Sequence, residues 1–370
     1  MTQRIQDVLT PTCELLALGE PTHQEAAFPM VRNELFAQLV DLGFRSIALE
    51  TDRVSAVAVD NYVRHGVGRL DDLTRSGFTH GFGAIDANRG LVAWMRDHNK
   101  DLPPADRLSF HGWDIPTENF TAPSPRPYLA HVRDYLGLDI DIPGDDDPWT
   151  RTEAVMNHAE SPGATPEADR LREIGGALLT ALDAGTPDQT ATARWVEART
   201  HLTAGLGLLR YHRQCAQPID DQDTRVARLM ATRDALMARN LLDIHTLEAR
   251  RGPTLVHAHN LHLRRNPGTY GNHPFVGAGA IVAALLGDRY AFIPGSLGRG
   301  ATLGLAEPAP NTYESHLQPR VDTWGLTTPD LPASAQTRTD TTPRMGYFPL
   351  EPATFDPADA ILHISDTGAV

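Results

Sequence analysis

The stretch PTLVHAHN, Pro253–Asn260, decides how this chain is read. An apolar run passes into alternating histidines and stops at an amide, the pattern of a buried strand whose end opens into a polar region. Three other runs repeat the plan. CELLALGE (Cys13–Glu20) continues into Pro-Thr-His, FRSIALE (Phe44–Glu50) ends in a carboxylate, and LSFHGWDI (Leu108–Ile115) carries His111 and Asp114. Between the first two, Met30, Leu35, Leu39 and Leu42 fall at helical spacing across Pro29–Leu42, and Gly43 stands where a helix would end.

Working outward, helices are expected near Asp52–His65, over Asp86–Asn99 after a Gly-rich break at Gly77–Gly83, and over Gly277–Leu286. Further strands are expected at Tyr290–Pro294 and in the last apolar run, Ala360–Ser365. Strand alternating with helix predicts an α/β fold with a mostly parallel central sheet flanked by helices. Thr150–Arg250 is almost continuously helical in pattern, so the core is expected in two parts, 1–115 and 251–370. Residues 116–250 then form a large helical insert, a lid over the carboxyl edge of the sheet. The polar, Thr- and Pro-rich segment Pro308–Arg344 reads as long surface loops.

The chain has 370 residues, with 33 Lys+Arg against 47 Asp+Glu, so 33 − 47 gives a formal charge of −14. Phosphate contact needs a basic face, which argues against a nucleic-acid partner. Cys13 and Cys215 sit in no zinc-ligand spacing and make no disulfide framework. The N-terminus lacks a signal-peptide pattern, and no run reaches the roughly 18 apolar residues of a membrane helix. The expectation is a soluble, cytoplasmic protein with a small-molecule substrate and no membrane partner.

Ligands of open parallel sheets bind beyond the carboxyl ends of the strands, and here four strand ends carry chemistry. They supply Glu20 and His23, Glu50, His111 and Asp114, and His259, Asn260 and His262. His257 alternates with His259 and so shares its strand face. Taken singly, each residue reads as a hydrogen-bonded core histidine or a helix-capping carboxylate; together they mark one site. Other histidines, such as His65, His98 and His201, read as surface positions.

GEPTH (Gly19–His23), FRSIALE, HGWD (His111–Asp114), RDALMARN (Arg233–Asn240) and AHNLH (Ala258–His262) occur in an order that resembles the erythromycin esterase family, from Leu15 to about Ser296. The resemblance implies hydrolysis of an ester or lactone. It makes His23 the general base, Glu20 and Glu50 its carboxylate partners, and His259 and His262 donors to an oxyanion or a leaving alkoxide. Arg32 would pair with the carboxylates or bind a substrate oxygen, and His111, Asp114, His257 and Asn260 are expected to bind substrate or orient the rest. No cofactor or metal is expected, the lesser option being a divalent ion at Glu20, His23, Glu50, His259 and His262. The chain departs from the family at His80–Ala87, where one carboxylate and the indoles are missing, so the resemblance supports the reaction class more than a macrolide substrate. Other readings of the site are a tailoring enzyme performing acyl transfer, elimination or cyclisation, and a binding or self-resistance protein without turnover. No G-x-S-x-G is present, and Ser296 lacks nucleophile-elbow spacing.

Overall fold

The computed structural model describes residues 2–185, 192–270, 273–342 and 345–370. The apolar runs become the strands of a five-stranded parallel sheet: β1 (Leu15–Glu20), β2 (Ser46–Asp52), β3 (Ser109–Asp114), β4 (Thr254–His259) and β5 (Tyr290–Ile293), in the order β3-β2-β4-β1-β5. β1 and β4 lie side by side at the centre, with Leu18 opposite His257 and Glu20 opposite His259. The register alone therefore brings the two most polar strand ends together.

Both sheet faces are covered, as a parallel sheet requires. Leu16, Leu18, Ile47, Leu49 and Leu255 face α1 (Ala27–Asp41), α2 (Ser55–His65) and α3 (Asp86–Asn99), meeting Val31, Leu35, Leu39, Val59, Val92 and Met95. The alternate residues Leu15, Ala17, Ala48, Val256 and Phe292 face the other way. Gly43 closes α1 with a φ of 97°, a left-handed conformation that glycine adopts at no steric cost.

α4 (Arg126–Leu136) precedes the stretch of helical pattern, Thr150–Arg250, which forms α5 (Pro166–Asp183), α6 (Ala193–Cys215) and α7 (Gln222–Glu248). Residues 186–191 of that pattern lie outside the described residues. Leu129, Leu171, Leu178 and Leu202 give α4, α5 and α6 a core of their own. α7 belongs to both layers. Leu229 and Leu236 pack with Leu208 and Tyr211 of α6, whereas Met237, Leu241 and Ile244 pack on Trp113 and Val256 of the sheet beside Val282 of α8 (Ala278–Leu286). Among the described residues, no helix is long and apolar enough to cross a membrane.

Four details differ from the sequence expectation. α2 starts at Ser55 because Asp52 still belongs to β2, where its carboxylate accepts the N–H groups of Val54 and Ser55 at 3.0 and 2.9 Å. The Gly-rich break is preceded by an unforeseen helix, Leu70–Ser76, with Asp71 and Asp72 in its first turn and Gly77 at its end. The segment expected as surface loops contains the helix Tyr313–Leu317 and strand β7 (Trp324–Thr327), with Leu326 buried and Arg344 outside the described residues. The last apolar run, β8 (Ile361–Asp366), joins not the central sheet but a second, mixed one, parallel to β6 (Gly295–Arg299) and antiparallel to β7, with Thr2–Gln3 at its edge.

Candidate active site

β1 ends at Glu20, and the turn through Pro21 and Thr22 places His23 back over it, with His23 Nδ1 2.7 Å from Glu20 Oε1. His23 Nε2 stands 3.7 Å from Glu50 Oε2, at the end of β2. The His23 side chain is 34% exposed while Glu20 and Glu50 are 7% and 5% exposed, so the histidine is the part of this trio that solvent reaches. Burial disfavours the charged imidazole, but Glu50 and Glu20 outweigh it and raise the His23 pKa above the ordinary value. Glu20 is held at about 2 against the same penalty of burial, by His257 and His23.

Each carboxylate is fixed from behind. His257 Nδ1 donates to the Leu18 carbonyl at 2.9 Å, and its Nε2 lies 3.2 Å from Glu20 Oε2, close enough to pair but poorly aligned for a hydrogen bond. Glu50 Oε2 accepts the His259 backbone N–H at 2.9 Å, and Glu50 Oε1 takes Arg233 Nη2 at 3.1 Å and stands 3.3 Å from His262 Nε2. His262 Nδ1 donates to Asp234 Oδ1 at 2.9 Å. Burial opposes a charge on His262, yet Asp234 and Glu50 push its pKa up to about 10, so it is an imidazolium at neutral pH. An imidazolium has no lone pair for Arg233 Nη1, also 3.3 Å away, and we take Glu50 as its partner there.

The ion network runs on to β3. Arg233 Nε donates to Asp114 Oδ1 at 3.0 Å, and His80 Nε2 lies 2.9 Å from Asp114 Oδ2. His80 has a φ of 58°, a left-handed backbone that costs a non-glycine residue on the order of 1 kcal/mol. Its Nδ1 lies 3.1 Å from Glu118 Oε2, and its N–H donates to Glu118 Oε1 at 3.1 Å, which fixes the turn. Buried ions this dense persist only when each has its partners.

His259 and Asn260 reach the site but are engaged elsewhere. His259 Nε2 donates to the Pro21 carbonyl at 3.1 Å while its Nδ1 accepts the Leu261 N–H at 3.2 Å. Burial and the neighbouring His23 lower its pKa to about 3, so it is neutral and presents no proton outward. Asn260 clamps the start of β6, exchanging hydrogen bonds of 2.8 and 2.9 Å with Gly295. A Cβ at Gly19 would stand 2.2 Å from Asn260 Oδ1, so only glycine admits this clamp.

Arg32 and His111 are placed differently from the sequence expectation. Arg32 makes no ion pair among the described residues; Asn33 and Asn88 hold its Nη2 at 2.7 and 2.9 Å. Burial lowers its pKa to about 10, with Glu20 opposing, so it remains a cation without a contact carboxylate. His111 is turned away from the strand ends, with Nε2 2.8 Å from Glu248 Oε1, in the wall of a 400 Å³ cavity at the sheet edge. Arg233 enters the sequence reading only as the start of the RDALMARN motif, and Asp234 and His80 are not singled out there. A helix carrying Arg-Asp on the face toward four polar strand ends is the signal that would have found the first two.

Aromatic side chains border the site. Phe82 lies tilted against His23 with ring centroids 4.9 Å apart, and the half-exposed Phe348 meets His259 edge-on at 4.7 Å. Phe120, Met156 and Met230 line a cavity of about 80 Å³ with His80 and Arg233. Farther off, Ser296 Oγ lies 3.0 Å from His363 Nδ1, with His363 Nε2 2.8 Å from Gln318 Oε1. This serine and histidine are fully buried, so no substrate reaches them.

A family model described as erythromycin esterase matches residues 40–363. Glu20, His23 and Arg32 precede that stretch, so their placement rests on the geometry above. Three solved structures are similar. A Bacillus cereus protein is 16% identical, with 98% of this chain and 90% of that one covered and a TM-score of 0.72. A succinoglycan biosynthesis protein is 17% identical, with 96% and 88% covered and a TM-score of 0.63. A histidine-to-asparagine mutant of the erythromycin esterase EreC, in its open conformation, is 19% identical, with 98% and 93% covered and a TM-score of 0.65. At these identities the likeness is one of fold. No curated protein matches the chain.

Proposed function

The chain belongs to the erythromycin esterase family, which supports an esterase-type hydrolase, and from that premise we propose that it hydrolyses the ester or lactone of an apolar natural product with His23 as general base. The observation that carries this reading is a solvent-reached histidine between two buried carboxylates, one bonded to Nδ1 and the other 3.7 Å from Nε2.

Glu20 accepts the Nδ1 proton and so fixes the tautomer whose lone pair is on Nε2, the nitrogen beside Glu50. That nitrogen takes a proton from water as the oxygen adds to the substrate carbonyl. The imidazolium formed, balanced by Glu20 and Glu50, then returns the proton to the leaving alkoxide as the C–O bond breaks. His262 and Arg233 hold Glu50 in place and ionised. Arg32, a buried cation without a contact carboxylate, favours the anionic intermediate through the low-dielectric interior. His259 positions the Pro21 turn rather than moving protons. Phe82, Phe120 and Phe348 give the entrance an apolar rim suited to a macrolide-like substrate better than to a small charged ester. The helices of residues 116–250 act as the lid above it.

The test is mass-spectrometric turnover on macrolide lactones and simple esters, wild type beside His23→Ala. A water-addition product that falls about 10²- to 10⁴-fold in the variant at unchanged melting temperature is expected. A fully active variant overturns the proposal, and a product of unchanged mass points to cyclisation or elimination at the same site.

A further inference from the structure

Outside the active site, the seam between α4 and α6 carries three half-buried side chains with metal-ligating atoms: His131 on α4, and Glu197 and His201 on α6. One donor atom from each lies within 4.8 Å of the others, the one such convergence of three His, Cys or carboxylate donors among the described residues. Glu197 and His201 are four residues apart and therefore share a helix face. His131 enters from the facing helix, its ring stacked on that of His201 at 3.7 Å and 7°. His201 Nδ1 donates to the Glu197 backbone carbonyl at 2.9 Å. That bond fixes the tautomer and leaves Nε2 with a free lone pair, as a carbonyl does behind a metal-bound histidine.

We propose that His131, Glu197 and His201 form a binding site for a zinc-class divalent cation that straps α4 to α6. Two imidazoles and a carboxylate are a borderline-soft set suited to Zn²⁺ or Co²⁺ rather than to Mg²⁺ or Ca²⁺, with water completing four-coordination. The carboxylate supplies the negative charge that two neutral imidazoles lack, and no arginine or lysine among the described residues pairs with it. Imidazole lone pairs lie in the ring plane, so the His131 ring turns about its Cβ–Cγ bond to converge with the held His201 ring on the ion. The site lies in the helical layer rather than at the strand ends, so the ion acts on stability and not on the hydrolytic step.

The test is titration of the full chain with Zn²⁺ by calorimetry and with Co²⁺ by visible absorption, together with melting temperature. The expected results are one ion per chain, the absorption of four-coordinate Co²⁺, and a melting temperature that rises with the ion. His131→Ala and His201→Ala each weaken binding at least tenfold, and His23→Ala leaves it unchanged. Should His201→Ala fail to fold, His131→Gln, at a half-buried position on the other helix, carries the same expectation. Absence of binding, or binding kept in the His131 variants, or binding lost in His23→Ala, overturns the proposal.

Discussion

Two histidine-centred chains sit on the two larger sheets among the described residues and look alike on paper. At the end of the central sheet, His23 lies between Glu20 and Glu50; in the second sheet, His363 lies between Ser296 and Gln318. The first has charged partners and a ring a third exposed, whereas the second has neutral partners and no exposure at all. Their basicities diverge accordingly. Carboxylates raise the His23 pKa against the cost of burial, while burial, unopposed by any carboxylate, lowers that of His363 to about 3. A serine, a histidine and an amide in hydrogen-bonded sequence thus make a rivet, whereas access together with charge gives His23 the basicity that the proposed hydrolysis would use.

The comparison breaks most sharply at Glu50. Glu50→Gln leaves Arg233 and His262 as buried cations short of a partner, and a loss of about 3–5 kcal/mol in urea unfolding is expected, along with most of the turnover. A stability within ~1 kcal/mol of wild type would mean that the ion network rearranges freely. His363→Ala is the matching change in the sealed chain. It leaves the Ser296 hydroxyl and the Gln318 amide without their ring partner and costs about 1–3 kcal/mol, with turnover per folded molecule unchanged. A fall in that turnover would show that the second sheet communicates with the site. Ser296→Ala has the smallest effect, within about 1 kcal/mol and silent in activity, and an inactive variant would restore a serine nucleophile.

Much of the site was legible because strand ends are legible. An apolar run that stops in Glu, His or Asp marks both a buried strand and the edge where ligands bind, and four such runs located Glu20, His23, Glu50, Asp114 and His262. Sequence does not reveal which atom a side chain spends, and so His259 read as a proton donor although backbone groups hold both its nitrogens. Asp234 escaped notice because it falls within an ordinary amphipathic helix, and only packing turns it toward His262. His80 stands in a stretch dominated by glycine, where no periodicity tells of a left-handed turn beside Asp114. The second sheet was hidden by brevity, since β7 has four residues in a Thr- and Pro-rich segment and pairs with a strand more than thirty residues on. His201 was read as a surface position, yet half of it is buried against a helix that its own local sequence does not mention.

The central claim is that two carboxylates set the basicity of one solvent-reached histidine. The most direct measurement is kcat/KM against pH for wild type and Glu20→Gln on whichever ester or lactone the wild type turns over. The account predicts an acid limb with its midpoint above the ordinary histidine value of about 6.5, because Glu50 and Glu20 favour the charged ring. In Glu20→Gln that midpoint moves down, since a carboxylate stabilising the imidazolium has been removed, and the plateau falls as the tautomer loses its anchor. A midpoint at or below the ordinary value, unmoved by Glu20→Gln, would contradict it.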